Sequence, residues 1–187
     1  MATHFLLCLF FSSGMLANIK ATIQKDWESK YQVEQSWEDQ NFRALSKQFF
    51  KTSTKWYNEL GSEMIITSLD RNNGSFEGTY NSGVGQAEKE YYLVGRFDTN
   101  GSTIGWVVSW QNKFLISHST TAWSGQMQFQ NPEKPVILTT WLLTRQTEPK
   151  DDWESTIVGF DTFTQDPPSQ ETIERAKLRR RVQPSTK

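Results

Sequence analysis

Residues 105–126 read GWVVSWQNKFLISHSTTAWSGQ, and this stretch decides the fold. Apolar and polar residues alternate on both sides of a short polar turn, which predicts two consecutive β-strands. Small hydroxyls and a large aromatic share one face of the second strand, namely Ser119, Thr121 and Trp123. Such a face suits a pocket that is apolar yet orients a polar ligand better than it suits a dry core.

The same short alternating runs recur from Lys55 onward, and no long helical period separates them. The predicted strands span residues 54–59, 63–69, 75–81, 90–97, 103–111, 115–129, 136–145 and 154–164. Asn-Gly dipeptides at 73–74 and 100–101 mark two of the turns, and Asn-Gly is the strongest short signal for a hairpin. The pattern predicts an all-β fold, an eight-stranded antiparallel up-and-down β-barrel, which can hold one small ligand.

The last two predicted strands are apolar on both faces. If the face of Trp141 points inward, the outer face still carries Leu138, Leu142, Val158 and Phe160. Because no helix is predicted between the strands, nothing in the barrel covers this outer face. An exposed apolar patch usually marks an interface, so we expect a homo-oligomer.

Residues 1–17, MATHFLLCLFFSSGMLA, resemble a secretory signal peptide, since an apolar run precedes small residues. The run is too short to span a membrane, and a buried N-terminal strand or helix is the alternative. The only cysteine, Cys8, lies in this run, so cleavage would leave no thiol and no disulfide. We expect a secreted, extracellular protein. Asn73 and Asn100 are candidate N-glycosylation sites, because each begins an Asn-Gly-Ser sequon on a predicted turn.

We divide the chain into four segments: the signal peptide (1–17), an N-terminal extension (18–51), the barrel (52–165) and a C-terminal tail (166–187). The extension shows a faint helical spacing without a clear cap, which predicts helix in part of it. The tail contains a short helical stretch, ETIERAKLRRRV, with a basic cluster. That cluster fits a solvated tail as well as it fits an anionic partner or a processing site.

The residues offer little for an enzyme. The only histidines are His4 and His118, and His118 has the parity opposite to Ser119 and Thr121, so it is predicted to face outward. The sequence contains no Ser-His-Asp set, metal-binding cluster, Walker A motif or dinucleotide fingerprint. With a net charge of −1, it also shows no nucleic-acid or membrane footprint. We predict no catalytic residue, no metal site and no cofactor.

Five stretches together resemble the avidin–streptavidin family of biotin-binding proteins. They are WYNELGS (56–62), GTYNSGVGQAEKEYYLVGRFD (78–98), GWVVSWQNKFLISHSTTAWSGQ (105–126), TTWLLT (139–144) and DDWESTIVGFDTFT (151–164). The resemblance implies a calycin-type barrel that binds biotin as its ligand and forms a homotetramer of secreted chains. It also implies that the protein sequesters the vitamin, in an antimicrobial or a storage role.

The resemblance assigns ligand contacts to individual positions. The donors to the ureido oxygen of biotin are Asn58, Ser62 and Tyr80, and the acceptors from its two nitrogens are Ser82 and Asp161. Thr121 matches the hydroxyl that faces the sulfur, while Ser119 and the backbone at Gln86 match contacts to the carboxylate. The other predicted contacts within the subunit are Leu60, Val84, Trp110, Trp123, Trp141 and Leu143. Trp153 matches a tryptophan that reaches into the site of a neighbouring subunit.

Each of these residues has a second interpretation. The tryptophans can fill a barrel core, Asn58 and Ser62 can be turn residues, Tyr80 can be a packed strand residue, and Trp153 can lie on the rim. Asp161 is harder to explain in this way, because inward carboxylates without a purpose are rare. Two other functions stay open: a secreted structural or partner-binding barrel with a degenerate pocket, and a carrier of an apolar ligand.

Overall fold

The computed structural model describes residues 13–84, 90–111 and 118–182 of the chain. Eight strands form a closed antiparallel barrel in which sequence neighbours pair and the last strand returns to the first. The strands are β1 (Lys55–Asn58), β2 (Glu63–Asp70), β3 (Ser75–Asn81), β4 (Tyr91–Phe97), β5 (Thr103–Trp110), β6 (Ser119–Gln128), β7 (Val136–Arg145) and β8 (Thr156–Thr164). The predicted eight-stranded up-and-down barrel is confirmed.

The predicted strand bounds differ from the observed ones at eight of the sixteen ends, mostly by one residue. β3 and β7 have the predicted bounds in full. The prediction that the last strand starts at residue 154 is wrong, because Pro149–Glu154 forms a 3₁₀ helix before β8 begins. The predicted sixth strand started at residue 115, but His118 is not in a strand and residues 115–117 lie outside the described residues.

The predicted alternation of faces decides which side chains fill the barrel. On β5, Trp106 and Val108 are buried while Val107 between them is exposed. On β6, Thr121 and Trp123 are buried, and the register pairs Trp106 with Trp123 and Val108 with Thr121. Inward side chains of neighbouring strands therefore lie side by side and together fill the interior of the barrel.

The connections define two ends of the barrel. The pocket end carries the β1–β2, β3–β4, β5–β6 and β7–β8 connections, and the helix end carries the other three. A helix, α1 (Ser13–Phe49), precedes β1 and reaches the barrel at the helix end. The sequence predicted helix in only part of the extension, whereas α1 is continuous across the predicted boundary at residues 17 and 18. Cleavage there stays a prediction.

The final turns of α1 belong to the barrel, since the chain divides into two compact units between Asn41 and Phe42. Phe50, directly after α1, is fully buried, and its ring meets the rings of Phe76 and Phe97 at centroid distances of 5.1 and 5.3 Å. The Arg71 guanidinium donates to the carbonyl oxygen of Phe50 and, at 3.3 Å, to that of Ser46. These contacts close the helix end of the barrel.

A second helix, α2 (Gln170–Val182), follows β8 and coincides with the predicted short helix of the tail. Proline residues 167 and 168 precede it, and the Ser169 hydroxyl oxygen accepts from the Thr172 N–H at 3.2 Å as an N-terminal cap. Neither helix, over the residues described, has the length and apolar character needed to cross a membrane.

Candidate ligand-binding site

A cavity of about 80 Å³ lies between the strands at the pocket end. Its lining consists of residues that the sequence predicted as ligand contacts: Asn58, Leu60, Ser62, Tyr80, Ser82, Val84, Trp110, Thr121, Trp123, Trp141, Leu143 and Asp161. They come from six strands and from the β1–β2 and β3–β4 connections. The barrel thus brings most of the predicted site together around one space.

Asn58 organises the tight turn between β1 and β2. Its side-chain oxygen accepts from the Leu60 N–H at 3.1 Å and from the Ser62 N–H at 2.8 Å. Gly61 has a φ of +81°, a left-handed conformation that suits glycine. Because the amide oxygen is held by the turn, the amide NH₂ of this buried side chain is the group that can donate to a ligand.

The two serines of the lining differ in how their hydroxyls are engaged. The buried Ser62 hydroxyl oxygen accepts from the Gly83 N–H at 3.1 Å, so its proton can be donated elsewhere. The Ser82 hydroxyl donates to the Val84 carbonyl oxygen at 2.7 Å. Its oxygen also accepts from the Val84 N–H at 3.3 Å, and a hydroxyl oxygen has two lone pairs. Ser62 is therefore suited to donate to a ligand and Ser82 to accept from one.

Asp161 is a buried carboxylate held by its neighbours. The Trp123 indole N–H donates to its Oδ2 at 3.0 Å, and the Thr139 hydroxyl donates to its backbone oxygen at 3.0 Å. All three side chains are buried. A carboxylate oxygen accepts hydrogen bonds and has no proton to donate, so the role that Asp161 can take toward a ligand N–H is that of acceptor.

Aromatic side chains form part of the cavity wall. The Trp110 indole N–H donates to the Thr121 hydroxyl at 2.8 Å, which places the hydroxyl and the ring side by side. The Tyr80 ring meets Trp123 at a centroid distance of 5.0 Å and Trp110 at 5.8 Å. Trp106 stacks behind Trp123 at 5.6 Å and 13°. Each ring of this wall is packed against at least one other ring.

Two residues that support the site were missed by the sequence reasoning. Gly159 pairs with Trp141 across β7 and β8, and a Cβ atom on Gly159 would lie 2.2 Å from the indole. The glycine therefore makes room for the ring. Thr139 pairs with Asp161 in the same ladder. Inward parity was a signal for Thr139, whereas the role of Gly159 depends on the register.

Two predicted contacts stand apart from the lining, and a third lies outside the described residues. Ser119 lies half-buried at the start of β6, where it pairs with Trp110 on the rim. Trp153 lies on the 3₁₀ helix and is 68% exposed, so it does not enter the cavity of its own chain. Gln86 lies outside the described residues. In the described ranges, no group of three or more His, Cys, Asp or Glu residues is arranged to hold a metal ion.

Residues 46–166 match the sequence profile of the Avidin family. The chain belongs to the avidin family. Avidin of Gallus gallus is 35% identical over 129 residues, which cover 65% of this chain and 82% of the relative. Avidin-related protein 4/5 of the same organism is 32% identical over 127 residues, covering 65% and 81%. Avidin-related protein 7 is 31% identical over 137 residues, covering 70% and 85%.

Membership of the avidin family confirms the resemblance stated from the sequence. Avidin family proteins are non-enzymatic binding proteins, so the prediction that this chain is not an enzyme is confirmed by its relatives. The matched region contains the whole barrel and the last turn of α1. Most of α1 and all of α2 lie outside it.

Proposed function

We propose that this protein binds biotin non-covalently in the cavity at the pocket end of the barrel. The observation that carries the proposal is the set of polar groups buried there: Asn58, Ser62 and Tyr80 as donors, with Asp161 as an acceptor. A urea presents one strong acceptor and two donors, which matches this set. Family membership supports the same ligand.

The roles proposed for these groups are those that the family resemblance assigns, and the donor and acceptor chemistry of each group is compatible with them. Asn58, Ser62 and Tyr80 donate to the ureido oxygen, and Ser82 and Asp161 accept from the two ureido N–H groups. The bond to a carboxylate such as Asp161 is charge-assisted and stronger than a neutral one. Leaving a buried polar partner unpaired costs about 1–3 kcal/mol, so a ligand without a urea is rejected.

The remaining contacts act on the other parts of the ligand. Thr121 faces the sulfur, and Ser119 at the rim contacts the carboxylate; the second carboxylate contact that the resemblance implies, at Gln86, lies outside the described residues. The apolar walls are Leu60, Val84, Trp110, Trp123, Trp141 and Leu143. Each tryptophan can bury about 150–250 Å² and loses little entropy on binding, because its side chain has only two rotatable bonds.

The cavity between the described residues is small for a ligand of this class. The volume of about 80 Å³ is below the range of about 300–1,000 Å³ that is typical of ligand pockets. Trp110 and Leu143 are only half-buried and lie where β5 and β7 reach the pocket end. We expect their side chains to move apart when the ligand enters and to cover it afterwards.

Calorimetric titration of the purified protein with biotin tests the proposal. We expect heat release at one ligand per chain, together with a change in tryptophan fluorescence, because Trp110, Trp123 and Trp141 line the cavity. A Ser124→Ala variant, altered on the exposed outer face of β6, should bind as the wild type does. If titration gives no heat and no change in fluorescence, the alternative of a structural barrel with a degenerate pocket is favoured.

We also propose that the chain assembles into a homotetramer. Two separate outer faces carry exposed apolar side chains: Tyr92, Val94 and Val107 on β4 and β5, and Leu138, Leu142, Val158 and Phe160 on β7 and β8. Two self-complementary faces per chain are what a closed tetramer with two-fold axes needs. The exposed Trp153 is then available to reach the cavity of a neighbouring copy.

Light scattering of the protein with and without biotin tests the assembly. The expected mass is that of four chains, and Phe160→Lys should lower it, since Phe160 is 70% exposed on the β7–β8 face. Trp153→Ala should weaken both assembly and ligand retention. A monomer in both conditions contradicts the tetramer, and an unchanged ligand affinity in Trp153→Ala assigns that residue to the rim.

The proposed cellular setting is extracellular, with residues 1–17 removed and biotin withheld from other organisms. Asn73 and Asn100 lie exposed on the β2–β3 and β4–β5 turns, at the end of the barrel opposite the cavity, so glycans there leave the site open. Mass spectrometry of the protein secreted by eukaryotic cells should show the new N-terminus and a loss of mass after glycosidase treatment. Retention inside the cell contradicts this setting.

A further inference from the structure

The helix α2 lies outside the part of the chain that matches the avidin family, yet its Ile173 contacts the β1–β2 turn of the barrel. One side of α2 is half-buried, formed by Ile173, Ala176 and Lys177, whereas Leu178 is 57% exposed. The spacing of three and four residues puts the half-buried side chains on one face of the helix. That face identifies the side of α2 that contacts the barrel.

The contact falls on the turn between β1 and β2. A Cβ atom on Gly61 would lie 3.1 Å from Ile173 Cδ1, closer than ordinary van der Waals contact. Ile173 therefore lies in close contact with this turn, and a side chain at position 61 would press against it. The neighbouring Glu59 is tied to β8, where its Oε2 accepts from the Thr162 N–H at 3.0 Å.

The same turn presents ligand-binding groups of the cavity. Asn58 and Ser62 flank it, and the amides of Leu60 and Ser62 are what hold the Asn58 side chain in place. Leu60 and Trp141 also form a wall that separates the cavity from a groove on the outside of the barrel. On one side they line the cavity, and on the other they line a groove that is bordered by Ala176 and Arg179 of α2.

We propose that α2 is a positioning element of the ligand site, which holds the β1–β2 turn closed through Ile173. The inference rests on the proposed function for its ligand, but the contact itself concerns the unliganded turn. When Ile173 is truncated, the turn opens more often, and a bound ligand loses the Asn58 and Ser62 donors together. Its dissociation becomes faster, while its entry past Trp110 and Leu143 is unaffected.

The test compares Ile173→Ala with Leu178→Ala in the full chain, because both remove apolar atoms from the same helix. Displacement of labelled biotin should show a dissociation rate raised on the order of tenfold for Ile173→Ala. The dissociation rate of Leu178→Ala should match that of the wild type. Ile173→Val keeps most of the side chain, so its dissociation rate should be close to that of the wild type. The association rate and the melting temperature should stay unchanged, which separates positioning from loss of fold.

Amide hydrogen exchange without ligand gives an independent readout. The Leu60 and Ser62 amides should exchange faster in Ile173→Ala than in Leu178→Ala. Equal exchange and equal dissociation in the two variants would overturn the role of α2. If the wild type does not bind biotin, the proposed function fails, and the exchange comparison still decides whether α2 holds the turn.

Discussion

The two ends of the barrel use the same alternation of inward residues with different chemistry. At the helix end the inward side chains are apolar, and Phe50, Phe76 and Phe97 interlock with ring centroids 5.1–6.4 Å apart. At the pocket end the inward side chains include an amide, hydroxyls and a carboxylate, such as Asn58 and Asp161. One end is filled and the other encloses a cavity.

The difference separates two roles of one fold. Alternation along a strand decides only which side chains point inward. Rings that interlock at the helix end contribute to the free energy of unfolding, whereas polar groups that converge at the pocket end are suited to a ligand. Substitutions at the helix end should therefore change stability with little change in ligand affinity, and those at the pocket end should do the reverse.

The largest effect is expected at the helix end, from Phe50→Ala. Removing this fully buried ring should lower the free energy of unfolding by about 3–5 kcal/mol, because a cavity is left among the aromatic side chains. Urea denaturation measures the change, and Lys51→Ala at the adjacent exposed position is the control. The biotin affinity of the folded fraction should be unchanged. A large loss of affinity would contradict the separation of the two ends.

The next effect is expected at the pocket end, from Asp161→Ala. Loss of a charge-assisted bond to the ligand should weaken biotin binding by about 1.5–3 kcal/mol, roughly 10- to 150-fold, while the barrel stays folded. Calorimetry measures the affinity, and circular dichroism reports the fold. Asp166→Ala removes an exposed carboxylate as the matched control. Equal affinities in the two variants would remove Asp161 from the site.

A smaller change is expected from Arg71→Ala at the helix end. The half-buried guanidinium donates to two carbonyl oxygens at the end of α1, and partial burial lowers the pKa of Arg71 from its ordinary value. Losing these bonds should reduce the free energy of unfolding by about 1–2 kcal/mol. Thermal denaturation of Arg71→Ala against Arg43→Ala, on the exposed side of α1, measures it. An unchanged melting temperature would show that Phe50 closes this end without Arg71.

The smallest effect is expected from Ser119→Ala on the rim of the pocket end. Ser119 is only half-buried, so solvent competes for its hydrogen bond to the ligand carboxylate; the bond should contribute about 0.5–1 kcal/mol, and affinity should fall about two- to fivefold. The methyl ester of biotin should show a smaller difference between Ser119→Ala and wild type than biotin does. A similar loss for both ligands would assign Ser119 to another part of the site.

The strands were predictable from the sequence because a period of two is a local property. β3 and β7 have the predicted bounds, and Thr121, Trp123 and Asp161 point inward as their parity requires. The start of β8 was predicted wrongly, since Glu154 is the last residue of the 3₁₀ helix Pro149–Glu154 and the strand begins only at Thr156. Most of the candidate site was also predictable, but through resemblance to a family and not through periodicity.

The sequence by itself determined the eight strands, the inward residue sets and the family. Only the tertiary structure decided that Phe50 fills one end, that Gly159 makes room for Trp141, and that Ile173 rests on Gly61. The physical reason is the separation along the sequence of the residues that each effect involves. Alternation acts between residues two positions apart, whereas these contacts join segments that meet only after the barrel has closed.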